Sequence, residues 1–301
     1  MVLDFPFARR NLMPMKSKTL TLSAVILLMK FFSSAASRAW NADLTDDERK
    51  MPEAKYYNPV FSDFPEDVVT ALMQGPLDRE DVLDFENVAD LQKAGHKKAD
   101  YGYRLLEDGT GYVAVKTDFP GVTGDRIHWW FWWHGYKDIR YKIWCPGAHY
   151  AVKIKDLFRA NHPSLSYRER MENNTIYSTE DVGMGIQTLA IHFVPPEKFG
   201  FDPSQFKRHG IEAVLCAEVG LMIAGADIKH SYMVHVWRKT SDGLELRSRF
   251  WLGKMLPYQW MRQWIFSAKT LKDMLFHCAL EYNHLAGFLP DIYREFGRPW
   301  K

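Results

Sequence analysis

His277 and Glu281 are the residues of this chain whose types and spacing best suit chemistry. Four positions apart, they become neighbours if their segment is helical. The stretch from about Thr270 to Leu289 reads as a long helix. Leu271, Leu275, Cys278, Tyr282 and Leu289 form one apolar stripe, and Met274, His277, Glu281, Leu285 and Phe288 form the next. An exposed ion pair is the ordinary outcome of this spacing. Apolar bracketing argues instead for burial, and a carboxylate buried alone is costly unless a cation stands beside it. A catalytic zinc takes three ligands of the His and Glu type and keeps one position for water. The pair is therefore read as half of a metal site. Histidine candidates for the rest are His128 or His134, His149, His192, His230 and His235. Glutamate candidates are Glu169, Glu172 and Glu180. Residue chemistry does not choose among them.

The run from His128 to His134 encloses five aromatic residues between two histidines. Aromatics favour a strand. Thr123 as an N-cap, Asp125 in the first turn and Gly135 as a stop favour a helix, which is the preferred reading. In a strand the two histidines stand about 20 Å apart. In a helix their directions differ by about 120°. Neither geometry lets both bind one ion.

Other elements must position these groups. Asp63 and Glu66 have the order of a capping box before a brief helix, Val68 to Met73, closed by Gly75-Pro76. Arg79 to Ala94 reads as a second helix, with acids early, Lys93 late and Gly95 after it. From residue 110 the texture turns to strands: Gly111 to Thr117, the alternating Arg140 to Trp144, Ile186 to Val194, and Ile211 to Gly220. Ser231 to Arg238 and Leu244 to Leu252 flank Asp242-Gly243, a strong hairpin signal. Antiparallel strands closed by a long C-terminal helix suggest an α+β helix-grip arrangement, a curved sheet around one deep cavity.

The chain has 301 residues, 47% of them hydrophobic, which is enough for a substantial core. Aromatics reach 15%, with 11 Trp, suited to a bulky core or a pocket for a flat ligand. A net charge of +2 argues against a nucleic-acid partner. Cys145, Cys216 and Cys278 are too dispersed for a zinc ribbon or disulfide framework. The sequence carries no GxSxG elbow, no HExxH and no Walker loop, and Gly183-Met-Gly185 lacks the third glycine of a dinucleotide fingerprint. Residues 1–40 run from basic (Arg9, Arg10, Lys16, Lys18) through apolar (Leu20 to Met29) to small (Ser33 to Ser37). That is the order of a signal peptide or signal anchor. A functional leader implies the secretory pathway and membrane association through that leader alone; otherwise the protein is cytoplasmic. Asn173-Asn174-Thr175 is a glycosylation sequon in the first case.

Several segments together resemble the diacetylphloroglucinol hydrolase family. They are Trp-Trp-Phe-Trp-Trp-His at 129–134, Arg-Tyr-Lys-Ile-Trp at 140–144, Glu-Arg-Met at 169–171 and Glu-Asp-Val-Gly at 180–183. Two more are Glu-Leu-Arg-Ser-Arg-Phe-Trp-Leu-Gly at 245–253 and His-Cys-Ala-Leu-Glu at 277–281, the latter followed by Leu-Ala-Gly-Phe-Leu-Pro at 285–290. The resemblance covers roughly residues 50–295 and leaves the leader outside it. It implies a Bet v 1-like helix-grip fold, with a mostly helical dimerisation region at 41–105 ahead of a catalytic domain at 106–301, and hence a homodimer. It also implies a zinc hydrolase of secondary metabolism that breaks the carbon–carbon bond between an acyl group and a phenolic ring, with metal held by two His and two Glu. By motif these are His134, Glu169, His277 and Glu281, with Glu180 as the alternative to Glu169.

The implied substrate is a small aromatic ketone, an acylphloroglucinol or a related β-diketone or dihydrochalcone. Protonation of the ring carbon bearing the acyl group would let water attack the acyl carbonyl and the ring depart as an enolate, with His235 or His192 as proton donor. The alternative is a non-hydrolytic polyketide-binding or cyclising helix-grip protein, because fold does not settle function.

Overall fold

The computed structural model describes residues 42–62, 65–95 and 99–297. The leader and Asp63, with its expected cap, lie outside the described residues. Among those described, no helix is long and apolar enough to cross a membrane.

Eight antiparallel strands form one sheet in the order β1-β2-β8-β7-β6-β5-β4-β3. They are β1 (Gly102–Leu105), β2 (Gly111–Pro120), β3 (His149–Ile154), β4 (Thr175–Glu180), β5 (Gln187–Val194), β6 (Ile211–Ile223), β7 (Ala226–Lys239) and β8 (Gly243–Leu252). The expected hairpin is β7–β8, with His235 opposite Ser248 and Trp237 opposite Leu246. Seven α-helices complete the described chain: α1 (Glu66–Gln74), α2 (Gly124–Trp133), α3 (Asp138–Trp144), α4 (Leu157–Ala160), α5 (Tyr167–Met171), α6 (Gln259–Ile265) and α7 (Ala268–Phe296). The sheet grips α7, and this is the helix-grip, Bet v 1-like α+β arrangement expected from the strand pattern and the resemblance.

Strand alternation divides the sheet into two faces. Met233, His235, Phe250 and Leu252 line a cavity that α7 closes. Val234, Val236 and Trp251 point the other way into a second core, where Val82, Leu83, Val88 and Leu91 cover them. That cover explains why Arg79 to Ala94 is not the α-helix its charges suggest. It forms two 3₁₀ turns, Arg79–Asp81 and Phe85–Gln92, with Val82 extended between them. The Leu83 carbonyl accepts the Trp251 indole N–H at 2.8 Å, a bond that an α-helix would have spent internally.

The run from Arg140 to Trp144, expected as a strand, is helix α3. Its apolar residues satisfy both periods. As a helix it places Ile139 and Ile143 on one side against Leu44, while Tyr141 and Trp144 face the cavity. The aromatic run is helix α2, as its boundary signals indicated, with Trp129, Trp130, Trp132 and Trp133 all buried. α7 starts at a capping box formed by Ser267 and Thr270 and continues through Pro290. Proline removes a donor and crowds the preceding turn. Burial of Leu289 and Ile292 and the edge contact of Tyr293 with Trp129 hold the last turns in place.

Candidate functional site

The cavity between sheet and α7 is walled by Phe131, Ile191, Phe193, Phe250, Phe266 and Met274. Its polar floor contains Tyr141, Glu180, His277 and Glu281. His277 and Glu281 stand one turn apart on α7 and both are buried. Glu180 ends β4 directly opposite His149 at the start of β3, and a register shift follows His149. Opposed residues bring their Cβ atoms to about 5 Å, and an irregularity of this kind re-aims a side chain. Gly183 holds the loop after Glu180 close to α7. Its φ is +94°, and an added Cβ would collide with the Asp273 side chain.

These elements converge on two carboxylate oxygens. His149 Nε2 lies 3.3 Å from Glu180 Oε2 and 3.6 Å from Glu281 Oε2. His277 Nε2 lies 3.8 Å from Glu180 Oε2 and 3.9 Å from Glu281 Oε2. His149, His277 and Glu281 offer ligand atoms that all lie within 4.8 Å of one another.

The residues present fit a metal ion. The His149 Nδ1–H donates to the Tyr141 carbonyl at 3.1 Å, which turns Nε2 toward the two carboxylates. That nitrogen is buried without a hydrogen-bond partner. Among the described residues neither carboxylate has a Lys or Arg partner, so two acids share a buried space with no fixed cation. Ligands about 2.1 Å from a tetrahedral Zn²⁺ are separated by about 3.4 Å, close to the spacings observed.

The electrostatics agree. Burial, reinforced by the charge of Glu180, pushes Glu281 well above the usual carboxylate range. Burial acts the same way on Glu180, but the facing His149, then His277 and the Tyr141 hydroxyl, bring it below its ordinary value. Burial draws His277 down to about 4, which keeps its imidazole neutral and able to ligate at physiological pH.

Of the ligands expected from sequence, the structure brings only two into the cluster. It brings together His277 and Glu281. It does not bring Glu169 to them: that carboxylate is exposed on α5, where it accepts from the Ser166 hydroxyl at 2.6 Å and backbone N–H at 2.8 Å in a capping box. Glu180, the alternative, lies beside His149 and His277. Nor is His134 among the converging groups. It lines the cavity, with its Nδ1 bonded to the Trp130 carbonyl at 2.9 Å, but it stands outside the cluster of ligand atoms formed by His149, His277 and Glu281. Its ring lies 5.9 Å from that of Tyr141, which in turn stacks on His149 at 3.9 Å. His149, one of several open candidates by type, occupies the site. His128 does not line the cavity, so only one histidine of the aromatic run faces it.

Of the two expected proton donors, His235 lines the cavity. Its Nε2 is 3.1 Å from the Tyr282 hydroxyl and its Nδ1 is 2.8 Å from Ser248 Oγ. His192 is on the opposite face of β5 from the cavity-lining Ile191 and Phe193. It is bound there to Thr175 at 2.8 Å and Asp227 at 2.6 Å, so it cannot serve the cavity. Tyr141 was not singled out from sequence. Its place in the Arg-Tyr-Lys-Ile-Trp motif was the available signal.

The chain is similar to known proteins. A family model described as DAPG hydrolase PhiG domain matches residues 83–294. A 2,4-diacetylphloroglucinol hydrolase of Pseudomonas protegens is 32% identical over 270 residues, spanning 83% of this chain and 86% of that protein. A second protein of that name, from a Pseudomonas species, is 32% identical over 270 residues, covering 83% of this chain and 90% of its own. A phloretin hydrolase of Eubacterium ramulus is 30% identical over 258 residues, covering 83% of this chain and 92% of its own. By both the matched span and the identity, the chain belongs to the DAPG hydrolase PhiG domain family.

Proposed function

We propose that this protein is a zinc-dependent hydrolase that cleaves the carbon–carbon bond between an acyl group and a phloroglucinol-type ring. The observation that carries the reading is the convergence of His149, Glu180, His277 and Glu281 on the floor of an aromatic cavity. The names of the relatives point to acylphloroglucinols and dihydrochalcones as substrates.

His149, Glu180, His277 and Glu281 would hold the metal. Bound Zn²⁺ supplies a Lewis acid and a water whose pKa is lowered toward about 7. The reaction consumes one water. Its oxygen bonds to the acyl carbon, the bond from that carbon to the ring breaks, and the electron pair leaves on the ring carbon. A proton must arrive there, giving a carboxylic acid and the deacylated phenol. His235 and Tyr282 form the pair placed to deliver it. Burial lowers His235 to about 3, so it is a neutral imidazole paired with the Tyr282 hydroxyl and not a standing imidazolium, and the proton it helps deliver to the ring carbon is the one the consumed water gives up. Phe131, Phe193, Phe250 and Phe266 pack the ring and exclude bulk water.

The test is metal analysis of the purified protein beside an assay for acid release from acylphloroglucinols. His149→Ala and Glu281→Ala are expected to lose zinc and turnover together. Full zinc occupancy and full turnover in either variant defeats the assignment. A metal-free protein that binds aromatic polyketides without cleaving them establishes the binding-protein reading instead.

A further inference from the structure

We infer that Glu48 and Glu53, outside the cavity, are positioning residues for the metal centre, acting through α3 and Tyr141. The inference rests on the metal reading of His149, Glu180, His277 and Glu281.

Helix α3 has seven residues, too few to hold its shape or rotation by backbone bonds alone. Yet it carries Tyr141, which touches two members of the cluster. The Tyr141 hydroxyl donates to Glu180 Oε2 at 2.7 Å, its carbonyl accepts from His149 Nδ1, and its ring stacks on the His149 imidazole. A rotation of α3 about its axis would disturb all three contacts together.

The residues on either side of Tyr141 are the ones that residues 42–57 hold. Lys142 donates to Glu48 Oε2 at 2.9 Å and to the Asp43 carbonyl at 3.1 Å, with both charged side chains largely buried. Arg140 donates to Glu53 Oε1 at 3.0 Å, and Lys137 reaches the same oxygen at 3.0 Å. The Glu53 side chain is only 1% exposed. Arg140 also lies over the Trp133 ring at 3.9 Å. Successive helical residues point about 100° apart. Anchors at 140 and 142 therefore grip α3 on both flanks of the residue that faces the metal site. Leu44 packs on Ile139 and Ile143, which sets the depth. Buried ion pairs contribute little net stability but define geometry where one partner cannot leave without stranding a charge. Groups that orient metal ligands typically change affinity 10- to 100-fold when lost.

The experiment titrates full-length protein with Zn²⁺ and then Co²⁺, comparing the parent with Glu53→Gln, Lys142→Met and the surface control Lys50→Ala. Lys142→Met retains the packed stem and leaves Glu48 bonded to the Thr45 N–H at 2.8 Å. Circular dichroism verifies folding of each metal-free protein, and Lys142→Met decides if Glu53→Gln does not fold. About tenfold weaker Zn²⁺ affinity, with an altered Co²⁺ d–d spectrum, is expected for the clamp variants and not for Lys50→Ala. A lower melting temperature with unchanged affinity and spectrum makes the clamp purely structural and overturns the inference. A parent that binds neither ion overturns the metal reading, and the clamp falls with it.

Discussion

Tyr141 and Glu180 are joined by a buried hydrogen bond of 2.7 Å, although one sits on helix α3 and the other at the end of β4. The bond leaves Glu180 oriented toward both histidines of the cluster, with the same oxygen 3.3 Å from His149 Nε2. Tyr141→Phe removes the donor and keeps the ring stacked. Zn²⁺ affinity is expected to fall about tenfold, as for other groups that orient a metal ligand. Competition against a chelating dye measures it. Unchanged affinity would show that the carboxylate needs no orienting partner.

Glu169 and Glu180 offer a clean contrast. Glu180→Gln is expected to abolish tight metal binding and turnover. Glu169→Gln changes only the glutamate of the capping box that opens α5, and keeps its metal. Metal content by mass spectrometry separates the two. The opposite pattern would restore Glu169 to the site.

Metal removal has a thermodynamic consequence. Without a cation, Glu281 is a buried acid beside Glu180. An ion that binds only the folded state stabilises it by about 2.7 kcal/mol at a concentration 100 times its Kd. For a chain of this size that raises Tm by about 4 °C. Melting curves with Zn²⁺ and with excess chelator check this, and coincident curves would count against a native site.

The pH profile of stability follows from buried histidines. Burial lowers His134 and His235 to about 3, and His128 and His230 to about 4. Their unfolded values lie near 6.5, so the unfolded chain binds more protons between the two limits. Stability from these groups is therefore complete above about pH 6.5 and lost as pH falls toward 4, at about 1.4 kcal/mol per pH unit for each titrating group. Glu281 has the opposite sign in the metal-free protein, since its raised value costs stability as pH rises above its unfolded value. Urea midpoints taken from pH 7 to pH 4 should fall steeply, and His235→Gln should flatten the fall. A midpoint flat over that range would contradict the burial of neutral histidines.

What the sequence by itself determined were the features set by local periodicity. His277 and Glu281 meet because i, i+4 neighbours on a helix meet in any context. The β7–β8 hairpin is announced by Asp242-Gly243, and helix α2 by Thr123, Asp125 and Gly135. Tertiary structure decided the rest of the site. His149 and Glu180 oppose one another only through the register of β3 and β4, including the shift after His149, and no local pattern encodes a pairing across 31 positions. Tyr141 reaches them because α3, whose alternation also fits a strand, is held as a helix by residues 42–57 and by Ile139 and Ile143 packing on Leu44. Glu169 and His134 sit in persuasive motifs, but the Glu169 carboxylate is taken up by Ser166 and His134 stands outside the cluster of ligand atoms. A local motif identifies which residues can bind a metal, while strand register and helix rotation decide which of them arrive at the same point in space.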